Sequence, residues 1–81
     1  MAEYAKAFGR IVQRRRKSAG LTQEMLADRA GIAPSSVSQL ERGLKSPTLD
    51  TILAVAAALG RPAAELMQEL ELDLASKNNK L

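Results

Sequence analysis

Three helix breakers, Gly31, Pro34 and Gly43, interrupt a segment whose apolar residues otherwise recur at helical spacing: LTQEMLADRAGIAPSSVSQLERG, residues 21–43. Glycine costs a helix interior about 1 kcal/mol, and proline is tolerated only in the first turn. The segment must therefore fold as two short helices. One opens at Thr22, a residue suited to an N-cap, and ends at Ala30. The other starts at Pro34 and ends at Gly43, with Gly31-Ile32-Ala33 as the turn between them. Leu26, Ala27, Ala30, Ile32, Val37 and Leu40 mark the inward sides. A steep crossing through so short a turn leaves little room for side chains, which suits Ala27 and Gly31, and Gly31 also suits a positive φ.

The remaining breakers divide the chain in the same way. A first helix is expected from about Glu3 to Ser18, stopping at Gly20. A fourth follows Thr48, with Asp50 in its first turn and Gly60 at its end. A fifth runs from near Pro62 to about Leu74. No strand-like alternation occurs, so the fold class is all-α with five helices. At 81 residues there is room for one compact domain, expected over 1–75, with a frayed, disordered polar tail at 76–81.

Neither cysteine nor histidine is present, which excludes disulfides, zinc fingers and sites built on thiol or imidazole. Ser35, Ser36 and Ser38 have no nearby general base, and no Gly-rich phosphate loop appears, so no catalysis, cofactor or metal is expected. The opening MAEYAKAFGR lacks the apolar stretch of a signal peptide, and no run approaches a membrane span. A cytoplasmic protein with no membrane partner is expected.

The net charge of +3 is unevenly placed: residues 1–20 hold six bases (Lys6, Arg10, Arg14, Arg15, Arg16, Lys17) and one acid, Glu3. Such a cluster attracts phosphate or anionic lipid, and a solvated helix face is the plainer alternative. Anchoring to a membrane surface fits poorly, because Tyr4, Phe8, Ile11 and Val12 are needed for the core. Four consecutive bases, Arg14 to Lys17, spread around the helix at about 100° each and cannot all face one way. The inward row Phe8, Val12 continues to Arg16, and the inward row of the third helix continues from Val37 to Glu41. Each helix thus aims a charge inward, and Arg16 and Glu41 are expected to form a structural ion pair. Arg14, Arg15 and Lys17 remain as candidates for phosphate contact or bare solvation.

Two short helices about a glycine turn, the second polar on its outer side, form the helix-turn-helix pattern. From about Phe8 to Met67 the chain resembles the Cro/C1-type (XRE) family of phage repressors and restriction-modification controller proteins. The likeness is carried by residues 21–43 and by PTLDTILAVAAALG, residues 47–60, which is similar to the family's fourth helix. The resemblance implies a lambda-repressor-like fold, with the third helix in the major groove of duplex DNA and the start of the second on the backbone. Gln39 can donate and accept together, as adenine demands, and is the expected main base reader, with Ser35, Ser38 and Ser36 secondary. The family often has a long polar side chain where this chain has Pro34, which could offer no more than apolar contact to a thymine methyl. Gln23 matches the family's phosphate-contacting glutamine. The free N–H groups of the helix that Thr22 opens serve the same anion. Arg42 and Lys45 are placed to grip flanking backbone, or are merely solvated.

Leu66 and Met67 can finish the core, whereas Leu70, Leu72 and Leu74 continue the apolar pattern further than so small a domain can cover. A homodimer is expected, with Leu66, Met67, Leu70 and Leu74 as its interface. Its recognition helices would be spaced by roughly 34 Å on a palindromic operator. No small-molecule effector is expected, and the resemblance implies control by concentration and dimerisation. The competing reading is a protein-interaction module, such as an antitoxin using the surface of the fifth helix.

Overall fold

The computed structural model describes residues 2–78. Among these there are five helices and no strand: α1 (Ala2–Ser18), α2 (Gln23–Ala30), α3 (Pro34–Glu41), α4 (Leu49–Ala58) and α5 (Ala63–Asn78). The expected caps form. Thr22 Oγ1 accepts from the Met25 N–H at 3.0 Å, and Thr48 Oγ1 accepts from the Thr51 N–H at 3.1 Å. Pro34 opens α3, where its missing N–H costs nothing. The end of α5 differs from expectation: the helix passes Leu74 and continues to Asn78, so the polar segment beginning at Ser76 starts as helix. Arg10 lies 3.7 Å from Asp73, so α5 still faces α1 just before this extension. The expectation for residues 79–81 lies outside the described residues.

The core gathers Phe8 and Val12 from α1, Leu26 and Ala27 from α2, Val37 and Leu40 from α3, Val55 and Ala56 from α4, and Leu66 from α5. Ala30, Ile32, Met67 and Leu70 pack against it, partly buried. Burying a large aliphatic such as Leu26 or Leu66 contributes about 1.5–3 kcal/mol relative to exposure. Tyr4 does not join Phe8, Ile11 and Val12 in the interior; it is exposed, although its neighbour Ala5 is buried.

Room at the helix crossings is scarce, but not where the sequence pointed. Ala27 is buried as expected, whereas Gly31 has open space around it and is required by its φ of +71°. The tight points are Gly9 and Gly43. A Cβ on Gly9 would lie 2.7 Å from the Glu41 carbonyl oxygen and closer still to that of Leu40, so α1 rests directly on the end of α3. Gly43, at φ +68°, faces the Lys6 backbone in the same way.

Candidate nucleic-acid interface

α3 turns Val37, Leu40 and Glu41 inward and leaves Pro34, Ser35 and Ser36 exposed, with Ser38 and Gln39 half-buried at the edge. Its outward side is polar and uncharged. Gln39, Lys45 and Thr48 help to line a cavity of about 200 Å³ between α3 and the start of α4. Lys45 and Arg42 are exposed, and Arg42 Nε leans back on the Ser38 carbonyl at 3.4 Å. These two cations therefore flank the C-terminal end of the helix that would meet base edges.

Behind α3 lies the expected pair. Arg16 Nε donates to Glu41 Oε2 at 2.6 Å and Nη2 to Oε1 at 3.1 Å, while Nη1 donates to the Leu21 carbonyl at 2.8 Å. The Arg16 and Glu41 side chains are only 9% and 1% exposed. The hydrogen bond to Glu41 holds the guanidinium pKa above its ordinary value, against the opposing effect of burial. Gln23 Nε2 donates to Glu41 Oε1 at 3.0 Å, a link the sequence did not suggest. An amide nitrogen has two N–H groups, so this bond orients Gln23 and leaves a second donor at the start of α2. Thr22 is exposed beside it, its oxygen already engaged in the cap.

The basic run of α1 goes elsewhere. Arg14 bonds Glu69 at 2.6 Å, Arg15 bonds Glu65 at 2.6 Å and Glu69 at 2.7 Å, and Arg10 lies 3.7 Å from Asp73. Rising numbers on α1 meet falling numbers on α5, so the helices run antiparallel, joined by a ladder of charges. Arg14 and Arg15, expected as candidates for phosphate contact or solvation, are thus engaged by Glu65 and Glu69, which with Asp73 form a row of acids at i, i+4 and i+8 on α5. That spacing was visible in the sequence and was the available signal. Lys17 is exposed, with no ion pair among the described residues.

Glu65 is also bound by Arg61, and the hydrogen bonds of Arg61 and then Arg15 hold its pKa at about 2, below the ordinary 4.5. A carboxylate with a depressed folded pKa stabilises the fold above its unfolded pKa and loses that contribution as pH falls through the folded one. The urea unfolding midpoint should therefore decline between pH about 4.5 and about 2. Glu65→Gln should flatten that part of the profile; an unchanged profile would remove Glu65 from the account.

The apolar face of α5 also needs correction. Leu66 is fully buried and cannot serve an interface, because it fills the core. Met67, Leu70 and Leu74 are half-buried, while Leu72 is 64% exposed. On α4, Leu49 and Leu53 are 70% and 52% exposed, and the sequence had not singled them out.

A profile of the helix-turn-helix family HTH_3 matches residues 12–66, from the middle of α1 to the start of α5. The chain belongs to the HTH_3 helix-turn-helix family. Among its relatives, an uncharacterized HTH-type transcriptional regulator of Methanothermobacter thermautotrophicus is 42% identical over 55 residues, covering 68% of this chain and 80% of that protein. The immunity repressor protein of Bacillus phage phi105 is 36% identical over 61 residues, 75% of this chain and 42% of the repressor. The restriction-modification controller protein C.AhdI from Aeromonas hydrophila superposes with a TM-score of 0.75 at 38% identity, covering 82% of this chain and 98% of that one. These likenesses bear out the family resemblance and the all-α fold. Among the described residues, no helix is long and apolar enough to cross a membrane.

Proposed function

We propose that this HTH_3 protein is a transcriptional regulator that binds duplex DNA sequence-specifically, as a homodimer on a palindromic operator. The observation that carries the reading is the outward side of α3. It is polar, free of charge, and flanked by exposed Arg42 and Lys45 at one end of the helix-turn-helix. Such a surface suits hydrogen bonding to base edges between phosphate contacts. Gln39 is the proposed main reader, with Ser35, Ser36 and Ser38 beside it and Pro34 limited to apolar contact. Gln23 and Thr22 at the start of α2, with Arg42, Lys45 and Lys17, are the proposed phosphate contacts. The dimer reading rests on apolar surface that a monomer leaves in water: Leu72 on α5, and Leu49 and Leu53 one turn apart on α4, with Met67, Leu70 and Leu74 half-covered.

Fluorescence anisotropy against genomic fragments should give binding that weakens steeply with salt and favours particular sequences, with two chains per operator by sedimentation. Gln39→Ala should flatten the ranking of operator variants, where a mismatched base pair typically costs about 1–3 kcal/mol, while Arg42→Ala should weaken all sites alike. Failure of every fragment to outcompete bulk DNA at low salt would end the regulator reading. An unchanged ranking for Gln39→Ala would move base reading to another residue.

A further inference from the structure

Of the six bases of α1, four are engaged by carboxylates: Arg10, Arg14 and Arg15 by α5, and Arg16 by Glu41. Lys6 and Lys17 have no ion pair among the described residues. Lys6 is exposed and occupies a particular place. A Cβ on Gly43 would stand 2.6 Å from both Cα and Cγ of Lys6, so the lysine stem lies across the turn that leaves α3. Gly43 is flanked in sequence by Arg42 and, two residues on, Lys45. Both are exposed and likewise without an ion pair among the described residues. The nearest buried acid, Glu41, is already taken by Arg16 and Gln23. Tertiary packing thus lays the stem of a third basic residue across the turn that carries two others, and basic side chains rooted so close together favour an anion beside them.

We propose that Lys6 contacts a phosphate of the DNA strand beside the C-terminal end of α3, joining Arg42 and Lys45 in one grip. The inference rests on the DNA-binding reading above. A phosphate is the fitting group because Lys6 comes from α1, outside the helix that would enter the groove, and carries a compact point charge with no acceptor to read a base. Its contribution is therefore to affinity and not to sequence preference.

The test is the salt dependence of binding to a mixed-sequence DNA duplex and to the best-bound genomic fragment. Lys6→Met keeps the aliphatic stem over Gly43 and removes the charge; Lys6→Gln is the second neutral variant, and Lys6→Arg restores the charge. Each neutral variant should show a slope of log K against log salt shallower by about 0.9 on both duplexes, with an unchanged urea midpoint. The affinity lost between about 50 and 200 mM salt then shrinks by about 3.5-fold. Lys6→Arg should return the wild-type slope. If the wild type binds and both neutral variants keep its slope, Lys6 is a solvated side chain and this inference falls alone. If the wild type binds neither duplex at low salt, the DNA-binding reading falls with it.

Discussion

Glu41→Leu, with Arg16 left in place, is expected to cost about 3–5 kcal/mol of folding stability. The guanidinium would remain in an almost dry site, its fork pointing at a methyl group, with the Leu21 carbonyl as its remaining partner. Gln23 would lose its acceptor in the same step. Arg16→Met should be similarly costly, because it leaves Glu41 facing only the Gln23 amide. The double variant should recover most of the loss, since replacing a buried pair by apolar groups of similar volume is often neutral or stabilising. Urea unfolding of the two single variants and the double variant measures this coupling. The alternative has a distinct signature: if Arg16→Met unfolds like wild type yet binds DNA more weakly with a shallower salt slope, Arg16 is a phosphate contact.

Gly43→Ala is expected to cost about 2–5 kcal/mol, because two penalties of the same sign meet at one residue. A φ of +68° charges a non-glycine residue about 1–2 kcal/mol. The new methyl would also stand 2.6 Å from the Lys6 Cα and 2.9 Å from its backbone nitrogen, an overlap no rotamer relieves. Overpacking of this kind typically costs about 1–3 kcal/mol. Gly31→Ala separates the terms: at φ +71° with nothing within 4 Å, it should pay the backbone term alone. Equal losses at the two positions, read by urea or thermal unfolding, would show that α1 yields at the crossing and that the contact is soft. At Gly9 the terms oppose each other, since alanine gains about 1 kcal/mol of helix propensity while overlapping the carbonyls of α3.

The sequence by itself determined the features whose causes lie within a few residues. Thr22 and Thr48 cap the helices that follow them, Pro34 opens α3, and the breakers between helices end each element, because caps and turns involve only near neighbours. The Arg16–Glu41 pair was legible for a related reason: each charge extends an apolar i, i+4 row, and a buried charge demands an opposite one. What the tertiary structure alone decided is which distant surfaces meet. Arg14 and Arg15 belong to α5 because its docking against α1 brings Glu65 and Glu69 opposite them, 50 or more positions away in the chain. Leu66 lies inside and Leu72 outside, though a plain apolar pattern treats them alike. Gly9, and Lys6 over Gly43, acquire meaning only where α1 crosses the end of α3. Such placements follow from how the side-chain volumes of several helices fill one interior at close-packed density, a condition no local window of sequence contains.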